Sequence, residues 1–270
     1  MRERPGLWRV LSRRPQAEAG EVQVLSAWLD VPGALRERLW TLLSPDERAR
    51  ARRFRFAVHR DRFVAARGLL REILGAFLGV QPGRLVFDYG ARGKPSLARP
   101  FAAADLRFNL AHADRLAVYA IALGRDVGVD VERVRPLPDA EGIAARFFSS
   151  REQRALGSLA APEREEAFFA CWTRKEAFLK ATGDGLSRDL GAFDVSVVPS
   201  LPARLERVAG DPLEAGRWSM EEIRPAPGYR GAVAFAGRAR VSCREWTREP
   251  EERGLDAGVE AARGHELEAR

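Results

Sequence analysis

The 270 residues suffice for one large domain or two of about 120 to 130 residues each, and a hydrophobic fraction of 46% supplies a real core. Two cysteines, Cys171 and Cys243, exclude a disulfide framework and fit a reducing, cytoplasmic setting; no apolar run is long enough to span a bilayer, and residues 1–19 lack a signal peptide's apolar stretch. The net charge of +7 divides into −3 over residues 248–270, where four arginines face seven acids, and +10 over the rest, which suggests an anionic partner. Nucleic acid, a phosphorylated small molecule and an acidic protein all qualify, and plain Arg-rich usage explains part of the count. Lysine is scarce: only Lys94, Lys175 and Lys180 occur among 45 basic residues. A lysine kept in such a chain hints at a site that needs a compact point charge.

Residues 22–29 read as a first strand. Ser44-Pro45-Asp46-Glu47 gives an N-cap, a proline at the first helical position and a glutamate at the third, opening a helix that carries Arg48, Arg50, Arg52 and Arg53. A longer helix over about 58–78 turns Phe63, Ala66, Leu70, Ile73, Leu74 and Phe77 inward. Its Arg60, Arg62, Arg67 and Arg71 fall elsewhere, as a solvated face or an anion-binding one. Leu85–Tyr89 reads as a strand, followed by a tight loop over 90–95 in which two glycines and Lys94 can close on a phosphate, although most such runs are plain turns. Leu106–Leu110 is a short strand ending in Asn109-Leu110-Ala111-His112, and Asn109 is the only asparagine. An apolar strand over 116–123 is closed by Gly124-Arg125-Asp126, a hairpin turn into the next strand.

That next strand runs from Val127 to Glu132. Alternation sends Val127, Val129 and Val131 to one face and Asp130 and Glu132 to the other, roughly 7 Å apart at their Cα atoms. Carboxylates so spaced can converge on one cation, and oxygen ligands with no His or Cys nearby select a hard ion, Mg²⁺ before Zn²⁺. Without a third carboxylate they are the polar face of a half-exposed strand. A helix over about 139–147 follows, then Ser149 and Glu152 as a capping box. The helix containing 168–182 places Phe168, Cys171, Trp172 and Leu179 at helical spacing, with Gly183 as its stop. Glu176 lies one turn beyond Trp172 and one turn before Lys180, either as an exposed i,i+4 ion pair or as the missing carboxylate. Short β-like runs over 193–198, 217–223, 231–235 and 239–243 suggest a meander that completes a second sheet.

Gly128-Val129-Asp130-Val131-Glu132, followed about forty residues on by Trp172-Thr173-Arg174-Lys175-Glu176-Ala177-Phe178-Leu179-Lys180, resembles the paired signatures of the 4′-phosphopantetheinyl transferases, closest to the Sfp-type, two-subdomain group. Ser44-Pro45, Arg67-Gly68-Leu69-Leu70-Arg71, Gly93-Lys94-Pro95, Phe108-Asn109-Leu110-Ala111-His112 and Arg146-Phe147-Phe148-Ser149 appear in the family's order. The resemblance implies an α+β fold of two similar α/β subdomains related by a pseudo-two-fold. On that basis we expect a flexible basic lead-in over 1–19, an N-terminal subdomain over 20–123, a C-terminal one over 124–247 and a disordered acidic tail over 248–270.

The resemblance also implies a monomeric, cytoplasmic enzyme, with no nucleic-acid or membrane partner. Such an enzyme moves the phosphopantetheine arm of coenzyme A to a serine of an acidic acyl or peptidyl carrier protein and releases 3′,5′-ADP. It implies Asp130, Glu132 and Glu176 as Mg²⁺ ligands, Glu176 or a metal-bound hydroxide as the base, and Lys180 beside the leaving phosphate. Arg67, Lys94 and His112, with Arg50, Arg62 and Lys175 as further candidates, would bind coenzyme A, and Glu152 would sit near the metal. Two positions depart from the pattern. Glu47 stands where some relatives carry a phosphate-binding lysine, a contact either lost or supplied by Arg50, and Ala111 replaces a serine. The rival activities are a metal-dependent phosphoesterase with the same carboxylates and a basic nucleic-acid-binding protein; the latter lacks a recognised motif.

Overall fold

The computed structural model describes residues 9–10, 15–185 and 188–246. The tail expected over 248–270 and most of the lead-in over 1–19 lie outside the described residues. Strands β1 (Arg9–Val10) and β2 (Glu21–Trp28) precede helices α1 (Gly33–Leu42), α2 (Pro45–Arg52) and α3 (Ala57–Leu78). A hairpin of β3 (Phe87–Tyr89) and β4 (Pro95–Leu97) leads to β5 (Leu106–Ala113) and β6 (Leu116–Leu123). The second half repeats this plan. It contains β7 (Val127–Arg133), α4 (Ala140–Phe147), α5 (Ser150–Gly157), α6 (Ala161–Thr182), a hairpin of β8 (Phe193–Val195) and β9 (Leu205–Val208), then β10 (Trp218–Ile223) and β11 (Tyr229–Ala236). The last described strand is β12 (Arg240–Glu245).

Two sheets form the centre, one ordered β1-β12-β2-β6-β5 and one ordered β10-β11-β7. Strand alternation explains the four layers they make. Along β6, Ala117, Tyr119 and Ile121 join the core under α1–α3, while Leu116, Val118, Ala120 and Ala122 join a second core between the sheets. That double burial accounts for the unbroken apolar run of β6. Val127, Val129 and Val131 face the same intersheet core, so the opposite face of β7 is turned to α6. A third core lies between the smaller sheet and α6, where Phe178 and Leu179 pack with Ala232 and Ala234.

The two halves also share one internal device. Glu47 caps α2 by accepting from Ser44 N–H at 3.0 Å, and Glu152 caps α5 by accepting from Ser149 N–H at 2.8 Å. Each buried carboxylate is then neutralised by the long helix of its half. Arg67 and Arg71 reach Glu47 at 2.5 and 2.7 Å, and Lys175 reaches Glu152 at 2.7 Å. A buried carboxylate persists only when paired in this way. Glu47 is therefore an interior anchor, not a lost surface cation, and the Arg67 and Arg71 side chains point into the core.

Strand β12 does not complete the second sheet. It crosses to the first and runs parallel to β2, with Val241 opposite Val22, so the run expected over 239–243 in the second sheet is instead shared back with the N-terminal half. Nor do β8 and β9 join the meander; they form their own ribbon. The turn at 124–126 is no hairpin, because β7 leaves the first sheet and pairs with β11. Asn109 bridges that change of sheet: its buried Oδ1 accepts from Val129 N–H at 2.9 Å. Helix α1, unforeseen in the sequence, buries only Leu39, whose Cβ would stand 2.6 Å from a side chain at Gly68.

Candidate active site

The site is built where β7 meets α6. A Cβ added at Gly128 would lie 2.2 Å from both Ala177 O and Ala181 N, so only glycine permits this approach. The contact sets the polar face of β7 against the last turns of α6. Asp130 is buried there, and its Oδ1 accepts from Lys180 Nζ at 2.5 Å. Its Oδ2 is also buried and has no hydrogen-bond partner. Glu132 and Glu176 are half-buried on the same side. Burial, then the Asp130 carboxylate, with a smaller push from Glu176, raises Glu132 to about 7 against the pull of Lys180. Burial and then Asp130 likewise raise Glu176, and burial raises Asp130 against the opposing charge of Lys180. Asp130 thus disfavours the charged forms of both Glu132 and Glu176, and Glu176 adds to the effect on Glu132.

Facing these carboxylates are His112 of β5 and, on α3, His59 and Arg62. His112 on β5 is held below the ordinary imidazole value, first by burial and then by Lys180, Arg62 and His59. Arg62 donates to Asp30 Oδ1 and to Asp114 Oδ1, each at 2.8 Å, and Arg133 donates to Asp114 Oδ2 at 2.8 Å. Lys94 enters from the β3–β4 loop; its Nζ donates to Ala181 O at 3.0 Å and Val127 O at 3.3 Å, which ties the loop to the end of α6. Two cavities, of about 470 and 250 Å³, lie elsewhere, one against β10 and the other between α4, α5 and α6, and neither reaches the carboxylates.

Comparison with known proteins decides what this cleft belongs to. The profile of the 4′-phosphopantetheinyl transferase superfamily matches residues 126–234, and that of the 4′-phosphopantetheinyl transferase N-terminal region matches residues 28–123. The 4′-phosphopantetheinyl transferase HetI of Nostoc sp. is 45% identical over 80% of this chain and 88% of its own length. The chain belongs to the 4′-phosphopantetheinyl transferase superfamily. The transferase is of the Sfp type: 4′-phosphopantetheinyl transferase Sfp of Bacillus subtilis is 30% identical over 74% of this chain and 85% of its own. Holo-[acyl-carrier-protein] synthase of Thermotoga maritima aligns with 43% of this chain and 64% of its own, with a TM-score of 0.34 and 24% identity.

Of the residues singled out in the sequence, the transferase brings Asp130, Glu132, Glu176, Lys180, His112 and Arg62 around one cleft. Lys175 is not among them. It is fully buried, held by Glu152 and by Phe193 O at 2.8 Å, and cannot meet a coenzyme in that position. Arg67 is likewise spent on Glu47 and on the Tyr89 hydroxyl at 2.9 Å. Glu152 accepts from Lys175 and from Val195 N–H at 2.8 Å, so its work is interior. Arg50 is exposed and lies over the Phe63 ring at 5.3 Å. Sequence reasoning missed His59, Asp30 and Asp114. Histidine scarcity marks His59, whereas nothing local marks two aspartates that meet Arg62 only through the fold.

As placed, no three Asp, Glu, His or Cys side chains among the described residues stand close enough to hold a metal ion. The ammonium of Lys180 occupies the position beside Asp130 that a cation would share. The donor set nevertheless fits a hard dication: all donors are oxygens, one carboxylate oxygen is buried without a partner, and the mutual repulsion is of the kind a positive ion relieves.

Proposed function

We propose that this transferase moves the 4′-phosphopantetheine arm of coenzyme A onto a serine of an acidic apo acyl or peptidyl carrier protein and releases 3′,5′-ADP. We further propose that it does so as a cytoplasmic monomer with Mg²⁺. The observation that carries this reading is the meeting, in a chain of this family, of the acidic face of β7 and α6 with Arg62 of α3 and His112 of β5. Asp130, Glu132 and Glu176 would hold the ion, which supplies neutralisation of pyrophosphate charge. His112 and Arg62, with Lys94 and Arg50 further out, take the phosphates of the coenzyme's adenosine end. Arg62 is pre-aimed by Asp30 and Asp114.

In the transfer the serine Oγ forms a bond to the β-phosphorus while the bond from that phosphorus to the ADP oxygen breaks. Glu176, one turn before Lys180 on α6, takes the serine proton. Lys180 exchanges its contact with Asp130 for the departing phosphate, so its charge meets negative charge as it grows. Incubation with coenzyme A, Mg²⁺ and an apo carrier protein tests the reading by mass spectrometry. The carrier should gain the mass of the arm on a single serine. A carrier of unchanged mass, with enzyme shown to be folded, would end it.

A further inference from the structure

Residues 48–60 contain six arginines and no acid. Nine consecutive residues, 52–60, are exposed, and three of them are large and apolar: Phe54 at 38%, Phe56 at 56% and Val58 at 46%. Elsewhere the arginines are mostly spent on carboxylates, as at Arg67, Arg71, Arg174, Arg207 and Arg230. Arg52, Arg53 and Arg55 have no carboxylate partner among the described residues. Instead, Arg52 lies over Trp40 at 5.5 Å and Arg55 over Phe56 at 5.4 Å. Such cation–π contacts tether the guanidiniums without using a carboxylate.

The patch runs directly into the cleft. Phe56 meets the His59 ring edge-on at 5.9 Å, and His59 with Arg62, one turn apart on α3, faces His112. We propose that the α2–α3 junction, Arg52 through Val58, is the surface on which the carrier protein docks. The partner it fits is an acidic amphipathic helix, whose carboxylates meet the three free guanidiniums while its apolar side chains cover Phe54, Phe56 and Val58. Stacked arginines beside exposed aromatics are the composition of interface hot spots. A single-stranded nucleic acid is the competing occupant, and the test distinguishes it. The inference rests on the transferase reading and adds to it the place where the acceptor binds.

The test is steady-state kinetics with an apo acyl carrier protein, comparing wild type with the triple variant R52E/R53E/R55E and with F56S/V58S. All five side chains are exposed, and circular dichroism confirms folding. Each variant should raise KM for the carrier by about tenfold or more, with KM for coenzyme A and kcat at saturating carrier unchanged. In the charge-reversed variant the carrier KM should also lose most of its dependence on NaCl. A carrier KM within twofold of wild type in both variants overturns the proposal. So does an oligonucleotide whose binding is abolished by R52E/R53E/R55E while the carrier KM stays put, since that makes the patch a nucleic-acid surface. A wild-type enzyme that modifies no carrier removes the transferase reading first, and the docking site with it.

Discussion

Gly128→Ala adds one methyl group at the contact on which the cleft depends. That carbon would sit 2.2 Å from Ala177 O and Ala181 N and 2.7 Å from Lys180 C, all backbone atoms of α6 that cannot rotate aside. Ordinary contact needs roughly 3.4 Å, so β7 and α6 must separate by about 1.2 Å. Lys180 Nζ then stands about 3.7 Å from Asp130 Oδ1 instead of 2.5 Å, beyond hydrogen-bond reach. Overpacking of this kind costs about 1–3 kcal/mol, and a weakened, partly exposed ion pair adds about 1 kcal/mol more. For a chain of this size that lowers Tm by about 4–7 °C. Activity should fall further than stability, by about 10²-fold, because a displacement near 1 Å misaligns reacting groups. Calorimetry and carrier modification below the variant's Tm measure the two effects separately. Gly83→Ala is the control, since a Cβ there meets nothing within 4 Å. If Gly128→Ala matched that control in both measurements, the close approach would not be what positions Asp130.

Lys180→Met should cost about 10²-fold or more in kcat with coenzyme A affinity little changed; Lys180→Arg, which replaces a compact ammonium with a planar fork, should be badly impaired too, as stopped-assay kinetics will show. Asp130→Ala should abolish transfer and remove any Mg²⁺ binding detected by calorimetry of the folded protein. Glu47→Gln leaves Arg67 and Arg71 buried against a neutral group and should destabilise the fold by about 3–5 kcal/mol at pH 7. Because those arginines hold the Glu47 pKa below the ordinary carboxyl value despite burial, its contribution is full above that value and disappears as pH falls through the lowered one. Urea titrations of wild type and Glu47→Gln should therefore converge on acidification below about pH 4.5 and stay apart above it.

The long helices, the central strands and the acidic face of β7 were legible because hydrophobic period and capping residues act locally. Asp130 and Glu132 could be paired because strand alternation puts them on one face, whereas Glu176 joined them through the family resemblance. What stayed hidden is where each cation ends up. Lys175 and Lys180 sit five residues apart on α6, so they project from different faces. Lys175 closes on the capping glutamate of α5, and Lys180 opens into the cleft. Scarcity of lysine marked both and could not separate them. The same ambiguity covered Arg67, which reads as a coenzyme ligand until Glu47 is seen to fold inward.

The duplicated plan of the chain supplies the distinction. In each half a Ser-x-x-Glu cap buries a carboxylate, and the long helix that follows must send it a cation, Arg67 with Arg71 in the first half and Lys175 in the second. A cation at that position, 20 to 24 residues after the capping glutamate, is committed to the interior. Those outside that window remain available for chemistry: Arg62 precedes it on α3 and Lys180 follows it on α6. Exchanging the partners tests this logic. Glu152→Gln with Lys175→Met removes both charges at once, so it should restore most of the stability that either single change loses, whereas no second-site change at Glu152 should rescue Lys180→Met. Rescue of Lys180→Met by Glu152→Gln would mean that the two lysines share one network and that the division between interior and cleft is wrong.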